Sequence, residues 1–177
     1  MAPRSAPDPS SAPWSQYAQA VVELLIDGEH VVLSPFGGGA RNGPRADGGA
    51  AVAKLGGPVW VLTAGDPYPV TLAAEENAAR NAALREDLAA RGIDAAPALG
   101  RSPDGSTSEI SLAVRGTDRR TVLEVAARHG QLAVYEIENR ILCVDVASGH
   151  VVSAVDFRVD RAHDGSDALV GPTGWRG

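Results

Sequence analysis

The chain has 177 residues, enough for one domain with a substantial core. Its formal net charge of -6 argues against a nucleic-acid surface, which needs clustered cations. One cysteine, Cys143, excludes an internal disulfide and a cysteine-based zinc site.

The chain opens on MAPRSAPDPSSAP, an Ala/Pro/Ser stretch that cannot bury enough surface to order itself. Residues 1–13 are expected as a disordered tail, ahead of a single domain over 14–159. From Trp14, the apolar residues Tyr17, Val21, Leu24 and Leu25 follow a helical spacing. The same stretch could instead end in a hairpin, VVELLI pairing with VVL across Asp27-Gly28. Residues 37–50 form a Gly-rich segment, expected as a flexible surface loop. This segment carries Arg41 and Arg45 but lacks the order of a phosphate-binding loop.

An apolar strand over 58–64 then leads through Gly65-Asp66-Pro67 to a helix over 72–91, stopped at Gly92. Strands follow at 95–100 and 109–115, a helix at 118–129, and strands at 132–137, 140–147 and 150–159. Residues 160–177 have turn composition and are expected as a flexible tail. The order is β-α-β-β-α-β and then a meander. It predicts an α+β fold: a ferredoxin-like βαββαβ core, a C-terminal antiparallel β-meander and an N-terminal helix or hairpin.

The most unusual pattern lies on the first long helix. Asn77 and Asn81 share a stripe with Leu84 and Leu88, at i, i+4, i+7 and i+11. Amides stand where apolar residues belong, and a buried amide left unbonded costs about 1–3 kcal/mol. Either the fold bonds them or a ligand does. The fold-based alternative has Arg80 pairing with Glu76 while the amides bridge loop backbone. The polar set Asp66, Asn77, Arg80, Asn81, Glu109, Gln131 and Glu136 is expected to converge. The start of the helix and Arg80 could then receive an anionic group.

Other chemistry finds little support. The four histidines include no H-x-x-x-H or H-x-H pair, so no metal site is expected. His129, at a helix end, reads as a partner of the helix terminus. No G-x-S-x-G elbow is present.

The segments VLTAGDP, EENAARNAAL and HGQLAVYE together resemble the bacterial family catalogued as domain of unknown function 3293. The positions that carry the resemblance are Thr63, Pro67, Glu76, Asn77, Arg80, Asn81, Glu109, Gly130 and Gln131. The sequence departs from the family pattern at Asp66, where asparagine is usual, at His129 in place of phenylalanine, and at Leu132. The tryptophan usual before Glu109 is also missing. The resemblance implies a fold and a candidate cluster, and no activity.

The expected function is a cytoplasmic module binding a small polar or anionic ligand through Thr63, Asp66, Asn77, Arg80, Asn81 and Gln131. No cofactor is implied. The alternatives are an enzyme that uses Asp66 or Glu109 as its base, or an interaction module. The last would pair through a sheet edge, as a homodimer for instance, with strand 150–159 the candidate. The opening residues lack a positively charged segment followed by an apolar run, so no secretory signal is expected, and no apolar run reaches the roughly 18–20 residues that a membrane span needs.

Overall fold

A computed structural model describes residues 8–36, 57–67 and 70–161. The glycine-rich segment 37–50 and residues 1–7 of the N-terminal tail lie outside the described residues, as does the C-terminal tail from residue 162.

The chain begins with one helical turn, α1 (Trp14–Tyr17), and a hairpin, β1 (Val21–Ile26) and β2 (Glu29–Pro35). The elements that follow are β3 (Val59–Leu62), α2 (Ala74–Ala90), β4 (Ala95–Arg101), β5 (Ser108–Val114) and α3 (Arg119–Arg128). The last four strands are β6 (Ala133–Ile137), β7 (Ile141–Asp145), β8 (Val151–Val155) and β9 (Phe157–Arg161).

The Asp-Gly pair settles the N-terminal choice in favour of the hairpin. Asp27 and Gly28 both take positive φ, +53° and +79°, the backbone of a two-residue turn whose twist matches its flanking strands. The helical spacing beginning at Trp14 yields only the four residues of α1.

The nine strands among the described residues form one antiparallel sheet in the order β8-β7-β6-β3-β5-β4-β1-β2-β9. This corrects the expected fold class. The stretch β3-α2-β4-β5-α3-β6 is not a ferredoxin-like βαββαβ core with a meander appended but part of one nine-stranded, nearly barrel-shaped antiparallel sheet. Its β4 edge is taken by β1 and its β6 edge by β7, so neither edge is left open. The expected strand over 150–159 also breaks at Asp156. Its first half pairs with β7 and its second half crosses to β2 at the far end of the sheet.

That crossing dictates the shape. β8 and β9 stand last at opposite ends of the strand order, yet one residue joins them. Consecutive Cα atoms are about 3.8 Å apart, so the two ends of the sheet must meet at Asp156. The sheet therefore curls into a nearly closed barrel. Phe36 N–H donates to the Asp156 carbonyl at 2.8 Å, and Arg140 reaches both the Asp156 carboxylate and the Ala154 carbonyl.

Burial explains why the chain curls. Every residue of β3 is buried, whereas helices on one side of an open sheet would leave its other face in water. Val59 and Val61 point inward with Val22, Leu24, Leu33, Ala98, Ala113, Ile137 and Phe157. Trp60 and Leu62 point outward, against Leu84 and Leu88 of α2 and Val122, Val125 and Ala126 of α3. The fold thus has two cores, one inside the barrel and one beneath the helices. No helix among the described residues is long and apolar enough to cross a membrane.

Candidate functional site

The candidate residues gather at one end of the barrel, where β3 leaves the sheet and β5 and β6 enter it. The chain turns there through Thr63, Ala64, Gly65 and Asp66 before α2 begins. Asp66 has φ +34°, in the left-handed region that few side chains other than Asn and Asp tolerate. A turn with this backbone leaves main-chain donors and acceptors that no ladder satisfies.

The two asparagines supply the missing partners. Asn81 is buried, 8 % exposed, and its Oδ1 accepts Ala64 N–H at 2.9 Å while its Nδ2 donates to the Ile110 carbonyl at 3.2 Å. One turn earlier, Asn77 Oδ1 accepts Asp66 N–H at 2.8 Å, and its Nδ2 donates to Asp66 Oδ1 at 2.8 Å. That same carboxylate oxygen accepts Leu72 N–H at 2.8 Å, closing the loop onto the start of α2. The 77/81 spacing thus places one amide on each end of the turn.

The remaining residues add further ties. Thr63 Oγ1 donates to the Ile110 carbonyl at 2.9 Å and accepts Gly65 N–H at 3.0 Å. Arg80 Nε donates to the Ala64 carbonyl at 2.6 Å, and its Nη2 donates to the His129 carbonyl at 2.7 Å. Arg80 therefore spends its fork on backbone and does not turn back to Glu76. Gln131 Nε2 donates to the Gly65 carbonyl at 2.8 Å. The end of α3 is locked to the same place, since a side chain on Gly130 would meet Pro67 Cβ at 3.2 Å.

Of the polar set expected to converge, Asp66, Asn77, Arg80, Asn81, Glu109 and Gln131 meet here, and the ligand-binding candidate Thr63 joins them. Glu136 does not: it lies on the outer face of β6 and pairs with Arg119, whose guanidinium also covers the Trp60 ring. His129 Nε2 lies 3.4 Å from Asp87, which also binds Arg91 and Arg128 and so ties α2 to α3.

Glu109 joins this network only through Thr63. It is largely buried at the start of β5, with its carboxyl oxygen 3.4 Å from the point where Gly65 would carry a Cβ. Burial pushes its pKa up to about 7, the negative charge of Asp66 adds to the rise, and a hydrogen bond with Thr63 opposes it. Asp66 moves the other way. Bonds from Leu72 N–H, and then from the Asn77 amide, hold its carboxyl below the usual range. Of two neighbouring carboxyls, Asp66 is thus ionised at neutral pH while Glu109 titrates near it.

The sequence pattern missed a second polar cluster. Glu23 on β1 is only 3 % exposed, and it is held by Arg101 on β4 at 2.8 Å and His30 on β2 at 3.0 Å. The only sequence signal was a glutamate in the apolar run VVELLI. Cys143 is buried, and burial pushes its thiol up to about 12, which makes it unreactive. Among the described residues, no group of three or more histidine, cysteine or acidic side chains is placed to hold a metal ion.

Neither a curated protein nor a solved structure matches the chain. Residues 62–134, the stretch that contains every residue of the turn cluster, match the family described as protein of unknown function (DUF3293).

Proposed function

We propose that the chain is a module that binds a small polar molecule at the Thr63–Asp66 turn, with Glu109 and Asp66 as the groups the molecule meets. The observation that carries this reading is a division of labour. Asn77, Arg80, Asn81 and Gln131 all spend hydrogen bonds on main chain, while two carboxyls of unlike pKa flank a side-chain-free Gly65. Because Arg80 donates from both Nε and Nη2 to carbonyls, a hydrogen-bond-donating or cationic ligand suits the site better than an anion.

The test is thermal melting against a panel of amines, guanidines, amino acids and carboxylates, on the wild type and on Glu109→Gln. Supporting results are a rise in Tm with amine or guanidine members and its loss in Glu109→Gln. No rise with any member, or a rise that survives Glu109→Gln, counts against the reading.

One observation favours a second reading, an enzyme. A carboxyl with its pKa at about 7 beside an ionised one suits general acid/base catalysis at neutral pH. Here Glu109 exchanges the proton and Asp66 orients the substrate. Turnover of a bound panel member that is abolished in Glu109→Gln, with binding retained, separates catalysis from binding alone.

A further inference from the structure

The N-terminal turn α1 sits at the same end of the barrel as Glu109. The strand registers set this placement. Val22 pairs with Gly100 and Gly100 pairs with Glu109, so the first residues of β1 lie in one row with the carboxyl. Tyr17, the last residue of α1, precedes β1 by only three residues. The residue between Val22 and Glu109 in that row is a glycine, which leaves the space beside the carboxyl without a side chain from β4.

Tyr135 ties the turn to the barrel. It packs against the inner core, and its hydroxyl donates to the Tyr17 carbonyl at 3.1 Å. Trp14 is 6 % exposed and meets Tyr17 edge-on, with ring centroids 5.9 Å apart. A single turn is far below the roughly 12–15 residues at which a helix becomes even marginal alone in water. No side-chain cap closes its start. Its position therefore depends on these tertiary contacts.

We infer that the Trp14–Tyr17 turn is a detachable plug over the barrel end that holds Glu109, with Tyr135 as its latch. Opening the turn uncovers the inner side of the carboxyl from the direction of β1. The closed turn keeps that side away from water. The inference rests on Glu109 being the group that the proposed site presents, but its test needs no ligand.

The experiment is carbodiimide coupling of glycinamide to carboxyls of the full chain at pH 5, located by mass spectrometry. Labelling of Glu109 is read as a ratio to Glu138, which is exposed in the turn after β6. The ratio is expected to rise at least about threefold in Trp14→Ala and in Tyr135→Phe. An unchanged ratio in both variants overturns the inference. Tyr135→Phe keeps the ring, and its ratio decides the matter if Trp14→Ala loses its circular-dichroism signature. A failed ligand screen leaves the plug standing, and an unchanged ratio leaves ligand binding standing.

Discussion

Replacing Glu109 with glutamine removes one titration from the barrel end while keeping shape and hydrogen-bonding capacity. In the folded chain the Glu109 carboxyl keeps its proton to about pH 7, against an ordinary value of 4.5. Between those limits the folded state binds more protons than the unfolded state, so stability falls as pH rises. Below about pH 4.5 both states are protonated and the residue costs nothing by this route. Above pH 7 the full cost is present. At roughly 1.36 kcal/mol per pH unit, the window amounts to about 3 kcal/mol. For a domain of this size that corresponds to roughly 6–12 °C in Tm. Glu109→Gln should therefore match the wild type near pH 4 and exceed it by about 2–3 kcal/mol at pH 8. Urea melts of both proteins at half-unit intervals from pH 4 to 8.5 give the difference directly, because every other titrating group cancels. A difference that stays flat across that range, or grows toward acid, would falsify the placement of a desolvated carboxyl beside Asp66.

Three more outcomes follow from the turn network. Asp66→Asn keeps an oxygen for Leu72 and Asn77 but removes the charge beside Glu109, so the pH window in the wild-type comparison should narrow from its upper end. Asn81→Leu exchanges a polar side chain for an apolar one in a buried place, yet should lower stability by about 2 kcal/mol in urea melts. It orphans Ala64 N–H and removes one donor from the Ile110 carbonyl. Gly65→Ala should fold within about 1 kcal/mol of the wild type, since its methyl meets Asn77, Glu109 and Thr63 oxygens at 3.4 Å without overlap. The methyl takes up the space beside the Glu109 carboxyl, so calorimetry should show any ligand shift of the wild type lost in Gly65→Ala.

Asn77 and Asn81 show what a linear pattern can and cannot carry. Their spacing on the stripe of Leu84 and Leu88 marked two amides facing the core, because helical periodicity is local. It also marked the neighbouring turn, through Gly65 and Asp66. Their partners were not legible. The Ile110 and His129 carbonyls, which Asn81 and Arg80 hold, lie 29 and 49 positions away. Arg80 shows the same limit, since a sequence reader sees Glu76 one turn earlier and cannot see a carbonyl from α3.

The sequence by itself left the segment before Asp27-Gly28 open between helix and hairpin but determined the other local elements: the two long helices and strands whose bounds fall close to the apolar runs. These follow from backbone preference and from periodicities of two and 3.6 residues, which neighbours within one segment enforce. Only the tertiary structure decided that nine strands form one curled sheet, that residues 151–161 divide between its two ends, and that Glu136 leaves the site while Glu109 stays. A β-α-β-β-α-β pattern says nothing about which strand pairs with each remaining edge. That choice rests on covering the inner face of β3 and pairing the main-chain groups of β4 and β6, and both requirements are met by residues far away in the chain.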